Sequence, residues 1–346
     1  MSARRSAQLL LLTSLVAQTS HPPVRQGARR EAVGLPAPSK DLPPLQVEKR
    51  ADAVGVEMQN VDFHIDSGIV LSIKRLRGEL LPTEAATPPR LDDKLSYLLS
   101  IHAAQISLDT ISLSTLLNRH VFGYSGSPLK KLHVSVDGDQ LVQTGVMHKV
   151  VDMPFRIRAS MSLTPDGKIR LHPTAMKVLG MNAAGLMRFF HVRIGGLITL
   201  QPGHGASIDQ DDFILDPAGM LPPPALRGRL TAIGTAGGRI VQTFGAADGK
   251  EIAPLHRQGS TAPNYMYFHG NTLRFGKLTM SQTDLEIVDK DPSNPFDYDP
   301  ERYIDHLVAG WSQSTESGGL IVHMPDLKLL PNATGAAGES KSRAKP

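Results

Sequence analysis

The chain contains no cysteine. That excludes a disulfide framework, a cysteine nucleophile, a thiolate metal site and the lipid-modified cysteine of a bacterial lipoprotein. Among its 13 histidines there is no His-x-x-x-His pair and no glutamate-bearing zinc motif. No glycine-rich phosphate loop follows a strand and no alternating βαβ pattern appears, so nothing points to nucleotide chemistry. No apolar run approaches the roughly 20 residues needed to span a bilayer. Nor is there a Lys/Arg stripe with interleaved aromatics, so nucleic acid is not expected as a partner. The net charge of +4 is basic only at the ends. Arg4, Arg5, Arg25, Arg29 and Arg30 lie near the N-terminus and Lys341, Arg343 and Lys345 in the tail, leaving a weak attraction to an anionic membrane surface.

What is present describes a globular protein: 346 residues, 40% hydrophobic and 20% charged, with 26 prolines and 31 glycines gathered between short apolar runs. Met1 to Ala17 carries a basic start, the run Leu9–Val16 and a small residue, the pattern of a secretory signal peptide over residues 1–17. Pro22 to Pro44 is basic and proline-rich, placing an extended linker at 18–44. A β-rich domain is expected at 45–330, with 250–330 a further strand-rich part of it, and a disordered tail at 331–346.

The most informative stretch runs from Leu129 to Val192. Leu132, Val134 and Val136 alternate with His133, Ser135 and Asp137, the period of a strand with one wet face. Asp137-Gly138-Asp139 turns the chain and Leu141 to Met147 continues it. Phe155, Ile157, Ala159, Met161 and Leu163 then alternate with Arg156, Arg158, Ser160, Ser162 and Thr164. Thr164-Pro165-Asp166-Gly167 is a tight turn, and Lys168 to Leu171 returns antiparallel. Pro173 reads as a break. Beyond it Met176, Val178, Leu179, Ala183, Leu186, Met187, Phe189 and Phe190 spread over a helical stripe. Such a helix would lie against the apolar face of the sheet.

Elsewhere Val54, Val56, Met58, Val61, Phe63 and Ile65, then Ile69, Leu71 and Ile73, read as strands. Leu91 to Phe122 is ambiguous: Leu95, Leu98, Leu99 and His102 keep helical spacing, Ile106, Leu108, Ile111 and Leu113 look like strand, and Leu113–His120 suits a helix capped by Ser112 or Ser114. A hairpin is expected over Gly228–Phe244, turning at Ala236-Gly237-Gly238. Asn264 to Asp289 is strand-rich, Pro300 to Trp311 a short helix, and Leu320–Leu327 a final strand.

Chemical constellations are weak. Asp289, Asp291, Asp297 and Asp299 have the oxygen donors for calcium, but the helix-loop-helix calcium pattern fails, with Asn294 and Pro300 where glycine and glutamate belong. A turn capped by its own Asp and Asn side chains is the plainer account. Ser127-Pro128-Leu129-Lys130 matches Ser-x-x-Lys without its companion motifs. No catalytic residue is assigned and no cofactor is implied. The methionines and phenylalanines of the central stretch suit an adaptable apolar pocket as well as a filled core.

The run Leu132 to Gly145, the strand to Gly167, then Ile169 to Pro173 and the stripe beyond resemble the bacterial exported lipid-binding proteins of the LmeA group. Those belong with the tubular lipid-binding superfamily, and the resemblance covers roughly residues 105–245. It implies an α+β fold in which a long curved antiparallel sheet wraps an apolar helix, and non-enzymatic binding of phospholipid in the periplasm or beyond. It implies a lipid or other apolar small molecule as partner. The groove would be lined by Phe155, Ile157, Met161, Leu163, Leu186, Met187, Phe189 and Phe190. Residues 250–330 have no counterpart in that family, and a structural envelope protein with a filled core stands as the alternative.

Overall fold

Val54, Val56 and Met58 put apolar side chains at even positions; Val61, Phe63 and Ile65 put them at odd ones. The phase changes at Asn60, whose φ of +51° is one that Asn tolerates better than most residues. Here the first strand exchanges neighbours, and the architecture follows from that exchange.

The computed structural model describes residues 52–148, 151–178, 200–245, 257 and 259–331. In chain order it contains strands β1 (Val54–Asp66), β2 (Ile69–Pro82) and β3 (Tyr97–Leu108), helix α1 (Thr110–Leu116), and strands β4 (Leu129–Asp137), β5 (Gln140–His148), β6 (Asp152–Leu163), β7 (Ile169–Val178), β8 (Ala206–Asp209) and β9 (Asp212–Leu215). The one-turn helix α2 (Pro217–Met220) follows, with β10 (Ala225–Arg227), β11 (Leu230–Ala236), β12 (Arg239–Phe244), β13 (Tyr265–Gly270), β14 (Leu273–Phe275), β15 (Leu278–Met280), β16 (Thr283–Asp289) and β17 (Phe296–Tyr298). Helix α3 (Tyr303–Val308), β18 (Trp311–Ser314) and β19 (Leu320–Met324) complete it.

An 11-stranded sheet runs β11-β12-β3-β2-β1-β13-β16-β19-β18, with β10 on β3 and β17 on β1. A six-stranded sheet runs β4-β5-β6-β7-β9-β8, and β14 and β15 form a separate hairpin. The first half of β1 pairs antiparallel with β13, from Val54↔Gly270 to Gln59↔Tyr265. Past Asn60 it pairs parallel with β17, from Val61↔Phe296 to Phe63↔Tyr298. Both side-chain amides at the junction, Gln59 Nε2 and Asn60 Nδ2, donate to the carbonyl of Pro263, at 3.0 and 3.3 Å. The described chain is therefore a β-rich α+β fold on large, mainly antiparallel sheets.

Helix α1 is capped by Asp109, which accepts from Ser112 N at 2.6 Å, so the cap lies upstream of the two serines that the sequence suggested. The helix ends in a wider turn over Leu117–Val121. The ambiguous stretch before it resolves as strand: Tyr97 to Leu108 pairs with β2 on one side and β12 on the other. Flanked on both edges and filled by alternating buried residues, it has no exposed face for a helix to present.

One reading needs correction. The chain does not break into a helix at Pro173: β7 continues through it to Val178, pairing with β6 as far as Phe155↔Val178. Pro173 sits beside a register shift between Arg158 and Ala159, where the ladder is already interrupted and a missing N–H costs little. Met176 and Val178 are strand residues, and the remainder of the expected helix, from Leu179 to Phe190, lies outside the described residues, as do 1–17, 18–44 and most of the tail.

The buried side chains form one apolar cluster that draws on both sheets, from Val54 and Leu76 to Phe155 and Leu171.

Candidate functional site

The six-stranded sheet and α1 face one wing of the large sheet, and the core between them is incompletely filled. The first cavity lies against β1, β2, β3, β13 and β16. Met58, Leu76, Leu80, Ile101, Met266 and Phe268 form much of its wall, and Leu91, Pro222, Pro224, Leu226 and Pro300 close over it. It holds about 730 Å³ of empty space, open mouth included. A second cavity of about 650 Å³, measured the same way, lies between β3, β11 and β12 on one side and β5, β6, β7 and β9 on the other. Its walls include Leu108, Leu141, Met161, Ile169, Ile233 and Phe244.

The two cavities share Leu71, Ile106, Leu221 and Leu226. They therefore adjoin, separated by no more than these side chains, next to the pairing of β10 with β3. Polar side chains along them are few: the phenols of Tyr97 and Tyr298 in the first cavity and the amide of Gln242 in the second. Tyr97 opens β3 and Tyr298 ends β17, and they are only 6% and 3% exposed.

Of the groove residues anticipated from sequence, Met161 lines the second cavity. Phe155 and Ile157 are buried in the shared core and do not line either cavity, while Leu163 is partly buried against that core. Leu186, Met187, Phe189 and Phe190 lie outside the described residues. The walls that sequence reasoning missed come from β1–β3 and from β13, β16 and β17. Their alternation was visible, as in Met266 and Phe268, but alternation marks a buried face without saying whether that face is filled. The structure also gives 265–324 a place: its strands extend the large sheet and complete the first cavity.

The four aspartates are held apart by separate tasks. Asp289 accepts from Asn264 Nδ2 at 3.0 Å and Asp291 N at 2.8 Å; burial, assisted by the Asp326 carboxylate, pushes its carboxyl up to about 6. Asp291 accepts from the hydroxyl and amide of Ser293, which hold it below the usual carboxylate range. Asp297 pairs with His64 Nε2 at 2.6 Å, and Asp299 accepts from Glu301 N at 2.9 Å. Among the described residues no three His, Asp or Glu side chains converge to hold a metal ion. Ser127 is buried with its hydroxyl donating to the carbonyl of Leu129 at 3.1 Å.

No family model, curated protein or solved structure matches this chain.

Proposed function

We propose that the protein binds a lipid or similar apolar molecule in its two adjoining apolar cavities, as a non-enzymatic carrier exported to the cell envelope. The observation that carries this reading is the adjacency of two apolar cavities that share Leu71, Ile106, Leu221 and Leu226. An apolar lining favours hydrocarbon over water, at about 0.8 kcal/mol per methylene removed from solvent. The few polar groups would orient a ligand but could not hold a charged one. The leucine-rich start of the chain supports export. The tubular lipid-binding architecture implied by the resemblance belongs to the same proposal, as does a phospholipid among its ligands.

Native mass spectrometry of the protein purified from its own envelope fraction, with solvent extraction and lipid analysis of what it carries, tests this directly. A stoichiometric lipid supports the carrier. A protein that arrives empty and stays empty after incubation with phospholipid vesicles overturns it and favours a structural role.

A further inference from the structure

Ile304 and Val308 stand four positions apart on α3, hence side by side on its surface, and they are 58% and 80% exposed. The inner side of the helix is satisfied: His306 is fully buried and Leu307 packs against the core. Three residues past Val308 comes Trp311, the one tryptophan of the chain. It is 50% exposed, although its indole is stacked on the His323 ring at 3.8 Å between centroids. The hairpin of β14 and β15 rests on the same helix, with the Phe275 ring 5.4 Å from that of Tyr303, and Leu278 just past its turn is exposed as well. Singly exposed apolar side chains are ordinary, but a branched pair followed by a tryptophan in one short segment marks an interaction surface.

The charges of this segment and its neighbours are unevenly matched. The carboxylates have partners: Glu301 pairs with Lys94 at 2.6 Å and Asp305 with Arg302 at 2.8 Å, while Asp92 and Asp93 share Arg90. Asp291 accepts from the Ser293 hydroxyl and Asp299 from the Glu301 amide. Arg274, Lys277 and Lys290, by contrast, make no ion pair among the described residues. The carbonyl of Arg274 accepts from Leu91 N at 3.0 Å, and Lys277 is exposed in the hairpin turn. Lys290 Nζ donates to the carbonyl of Ala309, the residue that caps the end of α3, at 3.3 Å. Exposed apolar side chains with uncommitted cations beside them suit a surface that is apolar within and anionic at its boundary, and an indole partitions to such a boundary. A second copy of the chain fits poorly, since a two-fold contact through this face would set the same cations against each other.

We infer that α3, Trp311 and the turn of the β14–β15 hairpin form a docking face for anionic phospholipid bilayers. Ile304, Val308 and Trp311 enter the headgroup layer, Lys277 and Lys290 meet lipid phosphates, and Arg274 adds to the positive potential. The face borders the first cavity: Leu91, bonded to Arg274, and Pro300, in the turn that leads into α3, are among the residues that close over it. Docking itself does not require that the cavity be occupied.

The test uses the full chain with vesicles of phosphatidylcholine, alone or with about 30% phosphatidylglycerol, and reads Trp311 itself, since no other tryptophan obscures it. On the anionic vesicles its emission is expected to shift to the blue and to be quenched by lipids brominated on their acyl chains. Neutral vesicles, or salt raised to about 0.5 M, should each weaken binding about tenfold or more. The Ile304→Asp/Val308→Asp double variant exchanges exposed side chains, so it should keep its circular dichroism and unfolding midpoint while losing the shift. Lys277→Glu, in a turn, should bind about fivefold or more weakly. Sedimentation with vesicles without quenching of Trp311 would mean that the basic ends of the chain make the contact, and would overturn the inference. Absence of binding, equal binding to both vesicles or an undiminished shift in the double variant would do the same. A blue shift that grows with protein concentration in the absence of vesicles would overturn it in favour of self-association. Occupancy of the cavities is read separately, by the lipid extraction above, so each reading can fail without the other.

Discussion

Asn118 takes both backbone groups of Leu132: its Oδ1 accepts from Leu132 N at 2.9 Å and its Nδ2 donates to Leu132 O at 2.6 Å. A side chain at the end of a helix thus supplies what a neighbouring strand would give, on the outer edge of β4, while Ser114 Oγ accepts from Val134 N at 2.9 Å one step along. The pair fastens α1 to the six-stranded sheet and holds Leu113 and Leu116 in the wall of the second cavity. Asn118→Ala should cost about 2 kcal/mol in urea unfolding, since two partly buried backbone groups lose their partner. Asn118→Asp, which keeps the acceptor and loses the donor, should fall between. A cost within error of zero for the alanine variant would show that water replaces the amide freely.

Leu226 belongs to both cavities and Met161 only to the second. Leu226→Glu should abolish lipid occupancy while the ligand-free protein keeps its β-sheet circular dichroism, because the leucine is only half-buried. Met161→Glu should instead shorten the longest chain accepted. Extraction and chain-length analysis of bound lipid separates the two, and identical profiles would contradict this assignment of the two residues.

His306 is fully buried, with Nδ1 donating to the carbonyl of Pro325 at 2.8 Å and Nε2 accepting from Asp299 N at 3.3 Å. Both nitrogens are engaged in the neutral state, and burial, against the pull of that Pro325 bond and of Asp299 and Asp297, lowers its pKa. The unfolded chain therefore takes up this proton first, near the usual value of about 6.5, and the stability it contributes is lost as pH falls below that. His64 works the other way: burial lowers its pKa, but the hydrogen bond and charge of Asp297 outweigh that and raise it. Its contribution is full below about 6.5 and lost as pH rises through the folded value. Urea midpoints between pH 7.5 and 5.0 should show a smaller acid loss in His306→Asn than in the wild type and a larger one in His64→Asn. Parallel curves for all three proteins would refute the assignment.

Gly78 lies in β2 at a register shift against β3, where a Cβ would collide with the backbone carbonyl oxygen of Ser100. Gly78→Ala should destabilise by about 2 kcal/mol or more, because backbone rather than a flexible side-chain tip must move. Gly138, at φ +66° in the β4–β5 turn with open space around it, provides the comparison. Gly138→Asn should change stability by no more than about 0.5–1 kcal/mol. Thermal or urea unfolding of the pair distinguishes collision from a general intolerance of side chains.

The β4–β7 meander was legible as far as Leu171 because each strand there has one wet face, so alternation gives both strand and register, as Met161 to Leu163 against Ile169 to Leu171 illustrates. The hairpin at Ala236-Gly237-Gly238 was legible from its turn residues. Pro173 misled because proline breaks a helix wherever it falls but interrupts a sheet only where a ladder bond is required. The cavities themselves were barely visible. Met161 came from a face whose apolar character was plain, whereas Tyr97 and Tyr298 come from strands whose pairing is set by partners far off in the chain.

Glu57 and Tyr265, neighbours across the large sheet, are 208 positions apart in the chain. The first strand therefore waits, with one edge unpaired over Val54–Gln59, until almost everything else has been made. Long-range closure of this kind is slow, and an open apolar edge invites pairing with other chains meanwhile. A protein ending before β13 would lack Met266, Phe268, Ile287 and Tyr298 from its cavity wall and would keep that edge bare. Newly made chains thus carry that bare edge until their last quarter arrives.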